Sequence, residues 1–148
     1  MSSRERVILV GLGGDDRDRH VLRAAGRIAT VRRASLIVAY VSPDPALLLV
    51  DSGVMPHYLS HEDMAPAFFP MVVESLFDLD VRWELATLVG DAAIELAQVA
   101  RMRSVRAAIV GKRSLGRWLR LRRILGGSVS QRLGQLQPAP VITVPRAD

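Results

Sequence analysis

The sequence predicts an α/β domain built on a mostly parallel, open β-sheet. Three observations carry that expectation. Short, almost purely apolar runs recur along the chain, as in Val7–Leu12, Ser35–Val41 and Val105–Val110, the pattern of strands buried on both faces. Between them lie longer segments with apolar residues at helical spacing. Glycine- or proline-rich turns separate the two kinds. Strands alternating with helices in this way imply parallel pairing through helical crossovers.

The first strand covers Arg6 to Leu12 (RVILVGL) and runs into glycines. Gly11-Leu12-Gly13-Gly14 makes the turn, and Asp15 or Asp16 is placed to cap the next helix. That helix spans Arg17 to Arg32, with Val21, Leu22, Ala25, Ile28 and Ala29 on one face. Ser35 to Val41 (SLIVAYV) is the second strand, closed by Ser42-Pro43-Asp44-Pro45. The stretch that follows is irregular. A helix is expected from Ala67 to Asp78, its prolines confined to the start, where a missing N–H costs little.

Val81 to Leu88 (VRWELATL) alternates and reads as a third strand with one more exposed face. Gly90-Asp91 caps a helix from Ala92 to Met102. Val105 to Val110 (VRAAIV) is the fourth strand and meets Gly111. A last helix runs from Ser128 to Leu136. Pro138-Ala139-Pro140 stops it, and Val141 to Val144 (VITV) is the fifth strand.

A length of 148 residues suits one domain, residues 1–148, with a real core. With 49% hydrophobic and 24% charged residues, a folded soluble protein is expected and disorder is not. The absence of cysteine excludes disulfides and cysteine-ligated zinc. The apolar run Val7–Leu12 is too short for a signal-peptide core or a membrane span, so a cytoplasmic protein with no membrane partner is expected.

The net charge is +5, and all basic residues but Lys112 are arginine. Lys112, Arg113, Arg117, Arg120, Arg122 and Arg123 crowd into one segment. It reads as a solvated face, or as a region that attracts phosphate, an acidic partner or nucleic acid. Only Trp118 interleaves with these charges, so no aromatic platform for bases exists and a nucleic-acid partner is not expected.

Gly126-Gly127-Ser128-Val129-Ser130 is the strongest chemical signal. Small residues at the mouth of a helix leave backbone N–H groups facing outward, where the helix carries partial positive charge. That suits a phosphate. The first and fourth strands both end in glycine. If those strands are neighbours, their loops border one crevice at the carboxyl edge of the sheet, where ligands of open α/β folds bind.

Known motifs fail elsewhere. Gly11-Leu12-Gly13-Gly14-Asp15-Asp16 lacks the last glycine of a dinucleotide fingerprint, and no P-loop or G-x-S-x-G elbow is present. His57, His61 and Glu62 form a weak metal candidate. Pro56, Ser60 and Pro66 argue against a helix there, and Ser60 with Asp63 reads better as a helix-start signal, so no metal is expected. His20 reads as a surface residue of the first helix.

In RVILVGLGG followed by VLRAAGRIA, and in SLIVAYV, LVGDAAIELAQVA, AAIVGKRS, GGSVSQRL and PAPVITVPRAD, the chain resembles the universal stress protein family. The likeness covers nearly the whole chain and is weakest between Asp44 and Leu79. It implies a three-layer, Rossmann-like fold with a five-stranded sheet in the order 3-2-1-4-5. It implies a homodimer paired through the last strands, here Val141–Val144, and ATP or AMP as ligand, with Mg²⁺ left open. Adenine contacts carried over from the family fall on Gly11, Leu12, Gly13, Val41 and Val110. Ribose and phosphate contacts fall on Gly111, Arg113, Ser114, Gly127, Ser128, Val129 and Ser130.

Three departures from the family pattern stand out. Gly13 replaces the aspartate that usually follows the first strand. Ser114 replaces the second glycine of G-x2-G-x9-G-[ST]. Twelve residues separate Ser114 from Gly127 where the family has nine. The resemblance therefore implies either an adenine-nucleotide-binding, dimeric stress-response protein or a relative that has lost ATP and acts as a dimeric interaction module. Weak ATP hydrolysis is the enzymatic alternative, and no general base next to the proposed phosphates supports it.

Overall fold

The computed structural model describes residues 4–13, 17–42, 61–112 and 129–145. At its centre lies β1 (Val7–Leu12), an apolar strand buried along most of its length. α1 (Asp18–Arg32) leads to β2 (Ser35–Ser42), and α2 (His61–Leu76) to β3 (Trp83–Val89). α3 (Ala92–Met102) leads to β4 (Ala107–Gly111), and α4 (Val129–Leu136) to β5 (Val141–Val144). The sheet order is β3-β2-β1-β4-β5, as the resemblance implied, and every pairing is parallel. β1 pairs on both edges: Ile8 stands opposite Leu36 on one side and Ala107 on the other.

Alternation along β1 divides the core in two. Ile8, Val10 and Leu12 join Val21, Leu22, Ala25, Val72 and Leu76 beneath α1 and α2. Val7 and Leu9 join Leu96, Ala97 and Leu133 beneath α3 and α4. Helices thus cover both faces of the sheet, as continuous apolar strands require. Among the described residues, no helix is long and apolar enough to cross a membrane.

Three glycines allow this tight layering. A Cβ on Gly11 would lie 2.8 Å from Leu96 Cδ1, and one on Gly111 would lie 2.8 Å from Val21 Cγ2. A Cβ on Gly26 would lie 2.7 Å from both Leu76 and Leu79. The glycines that end β1 and β4 are therefore explained first by helix packing against the strands, whatever they also do at a ligand site.

The largest departure from the sequence expectation is α2. It begins at His61, not Ala67, and ends at Leu76, so Pro66 and Pro70 lie inside it. The start follows directly on Ser60, where the Ser60–Asp63 signal puts it, and Pro66 does not prevent a helix there. Interior proline removes one hydrogen bond and crowds the preceding turn. Packing offsets that cost: Val72 and Leu76 are fully buried against α1. Ser75 Oγ also donates to Met71 O at 2.7 Å.

Other boundaries shift by one or two residues. Val105 leaves the strand because its N–H donates to Ala100 O (3.1 Å) and closes α3. Val81 N–H likewise donates to Leu79 O, so β3 begins at Trp83. The cap of α1 is corrected too. The capping position is Arg17, which makes no side-chain cap bond, while Asp15 and Asp16 lie outside the described residues. α3 matches its expected span, with Asp91 accepting from Ile94 N–H at 3.0 Å.

Gly90, just before that cap, has a φ of 133°, a region L side chains rarely enter. Gly90→Ala is expected to cost about 1–3 kcal/mol of stability, measured by urea unfolding. A loss below the error of that method would show that the turn relaxes.

Candidate functional site

β1 and β4 lie side by side, with Gly11 opposite Val110. After β1 the chain turns into α1 on one face and continues to β2. After β4 it reaches α4 on the other face and continues to β5. This is the point at which strand order reverses, the place where open α/β sheets leave a crevice. The N-termini of α1 and α4 both belong to this carboxyl edge, so two partial positive charges approach it from opposite faces.

Six of the candidate residues come together on three neighbouring strand ends. Gly11, Leu12 and Gly13 close β1, Val41 lies near the end of β2, and Val110 and Gly111 end β4. Val41 and Val110 are buried in the layer of α3 and α4. Leu12 points the other way, into the layer of α1 and α2, at 3% exposure. It offers the crevice only its backbone. Val129 and Ser130 form the first turn of α4 and are half-buried. Arg113, Ser114, Gly127 and Ser128 lie outside the described residues, as does the basic segment beyond Lys112. Lys112 itself is exposed, and its N–H donates to Val144 O at 2.8 Å.

The β1 turn holds a carboxylate that carries no sequence signal beyond its place at a helix start. Asp18 is 4% exposed, and its Oδ1 accepts from Gly13 N–H at 3.0 Å. Gly13 has room for a side chain, since a Cβ there would meet nothing nearer than Asp18 Oδ1 at 4.0 Å. A carboxylate reaching back from α1 thus occupies the backbone donor at the end of β1. Burial raises the Tyr40 hydroxyl above its ordinary pKa of 10.0; the Asp18 charge adds to the rise, and a hydrogen bond with Ser42 opposes it.

Two further contacts fix α4. Arg132 Nη1 donates to Asp91 Oδ2 at 2.9 Å, joining α4 to the N-terminus of α3 through a mostly buried ion pair. Buried Gln137 donates to Leu133 O and Ala139 O and accepts from Ala139 N–H, closing the helix into the proline turn. His61 and Glu62 lie at the start of α2, while His57 of the metal candidate lies outside the described residues. Among the described residues, no three His, Cys, Asp or Glu side chains group to hold a metal.

The model of the universal stress protein family matches residues 5–145. The chain belongs to that family. Compared with curated protein sequences, it matches none. Solved universal stress proteins share its fold. The Archaeoglobus fulgidus protein in complex with dAMP superposes with a TM-score of 0.65 at 20% identity, over 95% of this chain and 98% of that one. UspA from Lactobacillus plantarum gives a TM-score of 0.68 at 20% identity, over 97% and 99%. An Arabidopsis thaliana family member with AMP bound gives 0.62 at 13% identity, over 96% and 92%. At these identities the likeness is one of fold, a Rossmann-like sheet shared across the universal stress proteins.

The raised Tyr40 pKa makes a prediction at alkaline pH. The unfolded chain ionises Tyr40 more readily than the folded one, so this contribution is intact below pH 10.0 and is lost as pH rises through the folded-state value. Urea unfolding across that range should show wild type losing stability faster than Tyr40→Phe. Parallel losses would mean that Tyr40 is not the group responsible.

Proposed function

We propose that the chain binds an adenine nucleotide, ATP or AMP, across the carboxyl ends of β1 and β4 and acts as a dimeric stress-response protein. The observation that carries this reading is the switch point itself: β1 beside β4, with α1 and α4 starting at that edge from opposite faces. The nucleotides dAMP and AMP held by the Archaeoglobus and Arabidopsis relatives support it. The base lies against the backbone of Gly11 to Gly13 and the ends of Val41 and Val110. The phosphates meet Gly111, Arg113, Ser114 and the Gly127–Ser130 turn, whose N–H groups and hydroxyls suit phosphate oxygens. Mg²⁺ accompanies the ligand if it is a triphosphate. On this reading residues 1–148 form one domain, working in the cytoplasm.

The engagement of Gly13 N–H by Asp18 favours a second reading. A backbone donor at the end of β1 is already used, and a buried negative charge stands beside the crevice. A relative altered in this way serves as a dimeric interaction module without nucleotide.

One experiment separates the two. Freshly purified protein is denatured, and the supernatant is examined by mass analysis; ATP or AMP is then titrated into the apo protein by calorimetry. Binding that Gly127→Val weakens about tenfold or more, as a branched side chain holding the phosphate off one charge-assisted hydrogen bond would do, supports the nucleotide site. No released nucleotide and no heat of binding would overturn the nucleotide site and leave the module reading.

The dimer has its own test. β5 pairs with β4 and forms an edge of the sheet, with Ile142 and Thr143 exposed. Thr143→Pro removes a backbone donor from that edge. It should convert a dimer to a monomer in light scattering, and a wild-type monomer would refute the β5 interface.

A further inference from the structure

The end of the sheet opposite the crevice carries a surface of a different kind. Arg82, Arg6 and Arg106 each stand immediately before a strand, at β3, β1 and β4. Backbone bonds hold them at one level. Leu36 N–H donates to Arg82 O, Ser35 N–H to Arg6 O, and Arg106 N–H to Val7 O, all at 2.8 Å. Arg32 and Arg33 close α1 at the same end, and Arg101 and Arg103 close α3. All seven arginines are exposed. The acidic side chains at this end are Glu5, Asp78, Asp80 and Glu84, of which Asp78 pairs with Arg23 and Glu84 with Arg103. Positive charge is in excess.

Apolar side chains accompany that charge. Among the described residues, the three most exposed large hydrophobics are Met102 (82%), Val31 (81%) and Phe77 (78%); Phe69, at 50%, comes next. Each of the three sits at the C-terminal end of a helix: Val31 in the last turn of α1, Phe77 just past α2, and Met102 at the end of α3. In a parallel α/β fold these helix ends all lie beside the strand starts. The apolar side chains therefore flank the arginine row from both faces of the sheet.

Helix C-termini favour arginine for their negative partial charge. That does not account for the arginines before β1, β3 and β4, nor for apolar tips among them. A nucleic-acid backbone would use the arginines and leave Val31 and Met102 in water. The interface of a bilayer uses both, because apolar side chains enter the acyl boundary while guanidinium groups meet lipid phosphates.

We propose that this end of the molecule docks peripherally on a bilayer bearing anionic phospholipid, with Val31, Phe77 and Met102 entering the interface and the arginines meeting headgroup phosphates. The expectation of no membrane partner rested on apolar runs too short to span, and a surface that lies on a bilayer needs no spanning helix. The proposal is independent of whether the opposite crevice holds a nucleotide.

The full chain is sedimented with vesicles of phosphatidylcholine, or of phosphatidylcholine mixed with phosphatidylserine. Cosedimentation with the mixed vesicles only, weakening as salt is added, is expected. Arg6→Gln and Arg106→Gln should each lower the partition about fivefold. The triple variant Val31→Ser, Phe77→Ser, Met102→Ser, unchanged in charge, should lower it about tenfold or more. Met102→Trp provides a check that does not need the triple variant to fold: its added emission should shift to the blue on mixed vesicles. No sedimentation with phosphatidylserine at low salt would overturn the proposal, as would an unshifted Trp. Binding that the folded triple variant retains, or tighter binding to a DNA duplex that it retains, would also overturn it.

Discussion

Burial of β1 on both faces and along both edges is the constraint from which the rest of the molecule follows. A strand so enclosed must spend every side chain on packing, and its alternate residues supply two separate cores. It must find a partner on each edge, which brings β2 and β4 to it from distant parts of the chain. The covering helices then approach so closely that a Cβ on Gly11 or Gly111 would displace Leu96 or Val21. The same arrangement that closes the core leaves the crevice, because the chain must depart from β1 and β4 toward opposite faces.

Much of this was legible in the residues. The strands announced themselves because doubly buried strands are almost wholly apolar, and the Gly90-Asp91 pair marked the start of α3 because a carboxylate cap is a local device. The start of α2 is not legible in this way, because Pro66 and Pro70 are local signals too, and burial of Val72 and Leu76 against α1, a tertiary effect, outweighs them. The strand-end positions of the candidate site were readable for the same reason the strands were. The directions of their side chains were not: Leu12 and Val41 lie at similar depth on adjacent strands yet face opposite layers.

Asp18 shows what pattern alone omits. Nothing local distinguishes it from Asp15 or Asp16, and only the folded turn brings its carboxylate to Gly13. A buried carboxylate needs hydrogen-bond donors, and a backbone N–H is a strong one. A Cβ at position 13 would lie 4.0 Å from Asp18 Oδ1, so an acidic side chain there would set a second negative charge near the first. Arg132 and Asp91 form a part-buried ion pair that joins α4 to α3.

The pairing of β1 with β4 has a kinetic consequence. It joins Ile8 to Ala107, about a hundred residues apart along the chain, and contacts of such long range close slowly because the intervening loop must be ordered before any contact rewards it. β1 and β2, linked by a single helix, have far less chain to close. Of the four strand pairings this one spans the most chain and so carries the largest loop-closure cost. Any molecule held at the ends of β1 and β4 would stabilise the folded state, which alone brings those ends together.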